Sequence, residues 1–312
     1  MTDVLVVALG STGGWRASDA EFAAAIERAG ASVALATAAP QRDVRTYALT
    51  DLVWARAGRA AAQRGIAEHA PHAIVYSTTT AALLWPRPGA IRFDTLARDS
   101  RPGRHGFWQR PLERRRLAQA PLLVPMTPDQ PGVCVRIPVE PSGVGGTAPR
   151  DIAAVAYAAD PVKRRLDLLL AAWDAARRDG EELVVTGLER APREGVRFAG
   201  RLAPAEFRAL LRRARAFVAA PAREDYGVAP LEALADGCVV TTTAAAGPYP
   251  ALGVVRAIDP RLVTEDLATG IRIALDDPPT DFATRALQAL APFRRGAVDR
   301  VVAEELLPRL LG

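Results

Sequence analysis

The chain alternates between two hydrophobic patterns, short apolar runs and longer segments in which apolar residues recur every three or four positions. In the first half, runs typical of strands lie at 4–10, 32–37, 73–77, 90–93 and 121–126. Helical patterns separate them, most clearly at 19–30 and 55–70. Because strands that alternate with helices build parallel sheets covered on both faces, this half is predicted to be an α/β domain.

The same alternation restarts after residue 150. Strand-like runs lie at 152–158, 182–187, 196–200, 216–221 and 238–243, with helices predicted from Lys163, from about 205, from about 230, and at 262–276, 280–291 and 297–312. Between the halves, 137–150 is rich in Pro and Gly and has no hydrophobic period, as in a linker. The sequence thus predicts two Rossmann-like domains at 1–138 and 151–295, a linker at 139–150, and a terminal helix at 296–312 that packs back toward the first domain.

Composition narrows the class of protein. The 312 residues are 49% hydrophobic, enough for two cores, while two cysteines and three histidines supply neither a disulfide framework nor a metal-ligand cluster. The apolar run near the N-terminus is too short to span a membrane, so a cytoplasmic protein is predicted. The net charge of +5 and the pI near 9.7 favour anionic ligands. Nucleic acid is disfavoured because the arginines are spread along the chain without interleaved aromatic residues.

A single lysine stands out among 40 basic residues. Lys163 follows a predicted strand, and an ammonium is a compact charge suited to meeting phosphate oxygens in a tight space. An arginine-rich composition could also leave one lysine on a solvated helix face by chance. Both interpretations are open at this point.

The most informative stretch is 222–242. A predicted strand feeds a loop with Glu224, Asp225, Tyr226 and Gly227, and Pro230 then suits the first turn of a helix. In an open α/β sheet, ligands bind at the carboxyl ends of the strands, where a helix start offers free N–H groups to a phosphate. Glu224 and Glu232, eight positions apart, could accept hydrogen bonds from pairs of sugar hydroxyls.

With the preceding segment 196–221 and the upstream lysine, this stretch resembles the donor domain of retaining glycosyltransferases of family 4. The resemblance is strong over 152–245 and weak in the N-terminal half. It implies the GT-B fold, in which two Rossmann-like domains face each other across a cleft. It also implies transfer of a sugar from a nucleotide-diphosphate sugar to an acceptor hydroxyl, without a metal or other cofactor.

The resemblance assigns roles to individual residues. Lys163 would meet the donor diphosphate, and Gly227, Val228 and Ala229 would cradle it with their amides, beside Tyr226. Glu224 would bind donor-sugar hydroxyls near the reacting carbon, Glu232 the ribose, and the backbone at Gly200, Arg201 and Leu202 would border the base.

One departure from the family pattern concerns the phosphate cations. The family usually carries a Gly-Arg pair at the end of the strand before the lysine, where this chain has Tyr157 and Ala158. Arg164 or Arg201 could compensate. A catalytically weak or inactive sugar-nucleotide-binding partner subunit is therefore the alternative function.

The N-terminal half gives fewer candidates. Gly13 and Gly14 follow the first strand, where the resemblance places a glycine pair facing the donor phosphates and acceptor; an ordinary turn is the alternative. Asp94, at a predicted strand end, would face the acceptor, or is a plain loop residue. An oxidoreductase is disfavoured because the spaced G-x-G-x-x-G and the acidic residue after the second strand are both missing.

The segment 98–116 carries seven arginines against two acids, with Phe107 and Trp108 at its centre. Two interpretations are open. The aromatic residues pack into the domain and the arginines are solvated or line the acceptor site, or the segment docks on anionic lipid at the inner face of the membrane. The acceptor itself could be a small molecule, a glycan or a lipid-linked sugar.

Overall fold

The computed structural model describes residues 2–42, 44, 46–143 and 149–312. They form two compact units, one containing the chain up to Pro138 together with Arg295–Gly312, the other Val139–Arg294. Within the predicted linker 139–150, residues 144–148 lie outside the described residues. Val139 belongs to the second unit, where its amide donates to the carbonyl oxygen of Phe293 at 2.8 Å.

The first unit is a five-stranded parallel sheet with helices on its faces. Its elements are β1 (Val4–Ala8), α1 (Gly13–Arg28), β2 (Val33–Thr37), α2 (Tyr47–His69), β3 (Ala73–Tyr76), α3 (Thr79–Ala82), β4 (Ala90–Phe93), α4 (Ala97–Ser100), α5 (Gln109–Gln119) and β5 (Leu123–Pro125), in the strand order β2-β1-β3-β4-β5. Every residue of β1 is buried, as expected for a central strand covered on both faces. Helix α2 begins at Tyr47, earlier than predicted, because the Thr46 side chain accepts from the Leu49 amide and caps it.

The second unit repeats this architecture. Its elements are β6 (Ile152–Tyr157), α6 (Leu166–Ala176), β7 (Leu183–Thr186), β8 (Val196–Phe198), α7 (Pro204–Arg213), β9 (Ala214–Ala219), α8 (Val228–Ala235), β10 (Val239–Thr242), α9 (Pro250–Ile258), α10 (Leu267–Asp276) and α11 (Phe282–Ala289), with the strand order β10-β9-β6-β7-β8, all parallel. The central strands β6 and β9 pair directly, so the loops that follow them meet at the carboxyl edge of the sheet.

The prediction that α6 begins at Lys163 is wrong. Arg165 has a left-handed backbone with φ of 44°, so the helix starts at Leu166. Before it, the Asp160 carboxylate accepts from the amides of Val162 and Lys163 at 3.1 and 2.9 Å. This turn gives the segment from Asp160 to Arg165 a fixed shape of its own.

The C-terminal helical segment belongs to the first unit. It runs through α12 (Arg295–Val301), a π-helical stretch (Val302–Leu306) and α13 (Leu307–Leu311). Its buried face shares a core cluster with strand β1 and helix α1, including Val4, Phe22 and Val302. The Arg28 guanidinium pairs with Asp299 at 2.7 Å and ties α1 to α12.

Candidate functional site

Three consecutive basic residues, Lys163 to Arg165, hold the loop that follows β9. Arg165 donates from Nε to the carbonyl of Ala220 at 2.9 Å and from its guanidinium to the hydroxyl of Thr243 at 2.5 Å. In return, the Ala222 amide donates to the carbonyl of Lys163 at 2.9 Å. The two loops at the carboxyl edge are thus joined by backbone and side-chain hydrogen bonds.

Lys163 lies beside the carboxylate of Asp225. Its Nζ is 3.2 Å from Oδ2 of Asp225, and Nε of Arg223 is 2.7 Å from the other oxygen, Oδ1. Burial would raise the pKa of the Asp225 carboxyl, but the charges of Lys163 and Arg223 outweigh it and hold that pKa below its usual value. Two cations, Lys163 from the loop after β6 and Arg223 from the loop after β9, therefore share one ionised carboxylate.

Arg164 forms an ion pair with Glu224 on the inner side of the same loop. The Glu224 side chain is only 4% exposed, and burial lowers the pKa of Arg164. Oε2 of Glu224 is the oxygen that contacts the guanidinium, so the ion pair engages this atom. A carboxylate has about four lone-pair sites on its two oxygens, so Glu224 retains capacity to accept a hydrogen bond from a ligand hydroxyl.

A small pocket adjoins this pair. It has room for about one water molecule and is lined by Tyr157, Arg164, Glu224, Ala229 and Pro230 with apolar residues of α6 and β9. The centre of the Arg164 guanidinium lies 5.7 Å from the centroid of the Tyr157 ring. Of the two arginines considered as compensating cations, Arg164 thus reaches this pocket, whereas Arg201 is exposed after β8.

Helix α8 begins beside Glu224. Gly227 precedes it with φ of 78°, and a Cβ there would come within 2.9 Å of Cγ of Glu224 and 3.2 Å of the Tyr249 ring. Glycine is therefore required on conformational and steric grounds. The amides of Val228 and Ala229 belong to the first turn, whose N–H groups lack partners within the helix.

The loop between β9 and α8, residues 220–227, carries Glu224 and is called the glutamate loop here. It is also held by the segment that follows β10. The Glu224 amide donates to the carbonyl of Ala246 at 3.0 Å, and a Cβ on Gly247, whose φ is 106°, would come within 2.2 Å of the Glu224 carbonyl oxygen. The buried Tyr249 hydroxyl is 3.1 Å from Oγ1 of Thr242. The segment from Ala246 to Tyr249 thus fixes the backbone from which Glu224 projects.

Glu232 lies one turn into α8, next to a second carboxylate. Its Oε1 is 3.7 Å from the Arg208 guanidinium, which binds the Asp236 carboxylate more closely, with Nε 2.6 Å from Oδ2. Burial, with the Asp236 charge adding to it and Arg208 opposing it, raises the pKa of Glu232 to about 7.

The remaining predicted residues of the second unit are Gly200, Arg201, Leu202 and Tyr226. Gly200 follows β8 with φ of 65°, and its carbonyl accepts from the Gly187 amide at 2.7 Å, joining the ends of β7 and β8. Leu202 is half-buried and Arg201 exposed. Tyr226 is buried in the glutamate loop. Six of the predicted residues therefore lie at the carboxyl ends of β6 and β9 or in α8 and the residue before it: Lys163, Glu224, Gly227, Val228, Ala229 and Glu232. Three others, Gly200–Leu202, lie at the neighbouring ends of β7 and β8.

Gly13, Gly14 and Asp94 belong to the first unit. The two glycines are the first residues of α1, which Thr12 caps by accepting from the Trp15 amide at 3.1 Å. Asp94 is half-buried directly after β4. In the same unit, Arg92 of β4 forms a fully buried ion pair with Asp19 of α1 at 3.2 Å. Burial raises the pKa of Asp19 to about 6 despite the opposing Arg92 charge.

In the segment 98–116, four of the arginines donate within the unit, Arg98 to the neighbouring Asp99 carboxylate at 3.3 Å. Arg101 binds Asp51 at 2.7 Å, Arg110 donates to the Gly103 carbonyl at 2.6 Å, and Arg116 donates to the Leu83 carbonyl at 2.9 Å. Trp108 donates from Nε1 to the carbonyl of Ala48 at 3.2 Å, whereas Phe107 is 68% exposed. The expectation that both aromatic side chains pack inward therefore holds for Trp108 and is wrong for Phe107.

Two searches of the described residues gave negative results. They contain no group of three or more His, Cys, Asp or Glu side chains placed to hold a metal ion. Among the described helices, none combines the length and apolar character needed to cross a membrane.

Comparisons with known proteins bear on the family and on the fold. Residues 149–291 match the family described as glycosyl transferases group 1. A search of curated protein sequences found no match. The glycosyltransferase domain predicted from the sequence is thereby confirmed, while the assignment to family 4 stays a prediction.

Solved structures resemble the whole chain. They include a sucrose-phosphate synthase from Thermosynechococcus elongatus, with 15% identity, 96% of each chain covered and a TM-score of 0.71. An α,α-trehalose-phosphate synthase from Burkholderia xenovorans, solved with glucose-6-phosphate, has 12% identity, 99% coverage of each chain and a TM-score of 0.70. HepE from Anabaena, solved with UDP and glucose, has 14% identity, covers 98% of this chain and 99% of its own, and gives a TM-score of 0.66. The α/β fold with two parallel-sheet domains, as in GT-B glycosyltransferases, is thus confirmed.

Proposed function

We propose that the protein is a retaining glycosyltransferase that moves a sugar from a nucleotide-diphosphate donor to a hydroxyl of a small molecule or glycan. One observation carries the proposal. Lys163, the start of helix α8 and the buried Glu224 converge at the carboxyl edge of the second sheet, within a group 1 glycosyltransferase domain. Positive groups for a diphosphate and a carboxylate for sugar hydroxyls are thus supplied side by side.

The proposed reaction uses these groups in distinct roles. The acceptor oxygen bonds to the anomeric carbon on the face from which the diphosphate departs, so the bond between that carbon and the phosphate oxygen breaks and the configuration is retained. The acceptor proton passes to a phosphate oxygen of the leaving group. Lys163 and the amides of Gly227, Val228 and Ala229 stabilise the charge that develops on the diphosphate.

The carboxylates position the donor. Glu224 accepts hydrogen bonds from the donor sugar through its carboxylate, which the ion pair with Arg164 holds in place, and so orients the reacting carbon. Glu232, further along α8, binds the ribose hydroxyls, and the backbone at Gly200, Arg201 and Leu202 borders the base. On the first unit, Asp94, Gly13 and Gly14 keep the roles that the resemblance implies.

The proposal requires no metal, because Lys163 and the amides of α8 already supply the positive charge that the leaving group needs. Activity should then persist in the presence of a chelator. HepE from Anabaena was solved with UDP and glucose. We propose that this chain uses a nucleotide-sugar donor of the same kind.

A screen of nucleotide sugars tests the function. Each donor is first measured for thermal stabilisation of the protein, and donors that bind are then assayed for release of the nucleoside diphosphate with a panel of hydroxyl acceptors. Stabilisation followed by turnover supports the proposal. Stabilisation without turnover, with every acceptor tested, would instead favour the inactive partner subunit, for which the missing arginine at Tyr157 and Ala158 is the specific observation.

A further inference from the structure

The carboxylate of Asp225 occupies a site between two cations. Each of its oxygens faces one of them, Oδ2 at 3.2 Å from Nζ of Lys163 and Oδ1 at 2.7 Å from Nε of Arg223. All three side chains are partly exposed, so a ligand can reach the group from solvent. The Asp225 carboxylate thus occupies a site between two cations, and the oxygens of an anionic ligand group fit the same site.

Backbone contacts that do not involve Asp225 place both cations. The Asp160 carboxylate fixes the Lys163 amide at 2.9 Å, and the carbonyl of Lys163 accepts from the Ala222 amide, the residue before Arg223. Arg223 itself pairs with Ala246 in a parallel bridge. The backbones of Lys163 and Arg223 are therefore held next to each other independently of the Asp225 side chain.

The ligand that fits is a phosphate group. Both ammonium and guanidinium groups bind phosphate oxygens, and the guanidinium adds directed donors. The start of α8, where free amides favour anions, follows Asp225 by three residues. At neutral pH the ionised Asp225 carboxylate competes with a phosphate for the same two cations.

We propose that Lys163 and Arg223 together form the cation pair that binds the donor diphosphate, and that Asp225 occupies this pair until the diphosphate displaces it. The inference rests on the proposed function for the identity of the ligand. It supplies a second phosphate cation from the loop after β9, in place of the arginine missing at Tyr157 and Ala158.

Calorimetric titration with two probes tests the pair. The first is inorganic pyrophosphate, which presents the diphosphate alone, and the second is whichever of UDP, ADP, GDP and dTDP binds the wild-type protein. Arg223→Gln should weaken the binding of both probes about tenfold, because one charged hydrogen-bonding partner is lost. Asp225→Asn should tighten both about threefold or more, because the competing anion is removed while Lys163 and Arg223 remain.

A second ion pair of the same unit provides the matched control. Arg193 and Asp174 pair at 2.9 Å with similar partial exposure, and they lie on the loop before β8 and on α6. Arg193→Gln and Asp174→Asn should leave the affinity for both probes unchanged. Near-wild-type affinity in Arg223→Gln, or unchanged or weaker binding in Asp225→Asn, would overturn the cation pair.

The two probes separate this inference from the proposed function. If pyrophosphate binds with the expected response of both variants but none of the four nucleotides binds, the nucleotide-sugar function fails and the cation pair stands. If a nucleotide binds and neither variant differs from its control, the pair fails, and the proposed function is then decided by the turnover assay alone.

Discussion

The guanidinium of Arg164 forms an ion pair with the carboxylate of Glu224, which is 4% exposed, next to the face of the Tyr157 ring. One member of the pair comes from the loop after β6 and the other from the loop after β9. The ion pair thus links two parts of the proposed donor site. Glu224 is proposed to bind the sugar, and its partner Arg164 is adjacent in sequence to Lys163, which is proposed to bind the diphosphate.

Removing the arginine should destabilise the second unit. Arg164→Leu leaves the Glu224 charge buried without its partner, which costs about 3 kcal/mol in the free energy of unfolding, measured by urea denaturation. Arg178→Leu is the control, because that side chain is 66% exposed in its pair with Asp276, and the loss should stay below about 1 kcal/mol. Arg164→Leu combined with Glu224→Leu should recover most of the stability, and a fully additive loss would argue against the pair.

Substitutions of Lys163 and of Glu224 should have different effects on donor binding and on turnover. Lys163→Ala should weaken donor binding about tenfold, since the diphosphate loses a charged partner in both ground and transition states. Glu224→Ala should lower kcat more than donor affinity, because its proposed contact is with the reacting sugar. Direct donor titration and steady-state kinetics on the same preparations check both, with Arg193→Ala as the unaffected control. A Glu224→Ala variant with wild-type kcat would remove the role assigned to that carboxylate.

Gly227 should not tolerate a side chain. Gly227→Ala introduces a Cβ 2.9 Å from Cγ of Glu224 at a φ of 78°, so we expect a loss of about 1–3 kcal/mol in stability, together with weaker donor binding. Gly253→Ala is the matched control, because a Cβ there has no neighbour within 4 Å inside α9. That substitution should stabilise by about 0.5–1 kcal/mol. Thermal unfolding of the two variants measures the contrast, which equal melting temperatures would contradict.

The order of the elements could be predicted from the sequence, because each strand carries a continuous apolar run and each helix a recurring apolar face. The beginnings of α2 and α6 could not. The start of α2 depends on a cap at Thr46, nine residues before the clear helical period, and the start of α6 depends on the left-handed backbone of Arg165.

The candidate residues around α8 could be predicted from the sequence, because their order and spacing along the chain are enough to identify them. This holds for Lys163, Glu224, Gly227 and Glu232. Their partners could not be predicted. Asp225 reads as one more loop acid, and its position between Lys163 and Arg223 arises only when the β6 and β9 loops meet. Gly247 and Tyr249 lie outside the recognisable stretch, although a glycine before an isolated tyrosine and proline was a signal for a tight turn.

The pKa of Glu232 gives a pH dependence with a definite sign. A carboxyl whose pKa rises from 4.5 to about 7 on folding contributes most stability below pH 4.5 and loses it as the pH rises through 7. Glu232→Gln removes the buried charge, so the variant should gain about 1–3 kcal/mol over the wild type at pH 8 and little at pH 5. Urea denaturation at both pH values measures this, with the more exposed Glu182→Gln as control. An equal effect at the two pH values would show that ionisation of Glu232 is not its origin.

The surface around Phe107 gives the last prediction. Phe107 and Tyr47 are 68% and 62% exposed, but Trp108 donates to the carbonyl of Ala48, and four of the seven arginines in 98–116 donate to protein acceptors.

Four exposed arginines at about 1 kcal/mol each near an anionic surface total about 4 kcal/mol, which corresponds to a Kd of only about 1 mM and is too weak to sediment the protein, and Phe107 with Tyr47 offers few apolar side chains for insertion. We therefore expect the fraction that sediments with vesicles at physiological salt to be the same with neutral and with anionic lipid, and unchanged by Phe107→Ser. Sedimentation that rises with anionic lipid, falls with salt and is lost in Phe107→Ser would instead identify this surface as a membrane contact. The acceptor would then have to be sought among lipid-linked sugars, since an enzyme held at a membrane meets its acceptor in the plane of the lipid.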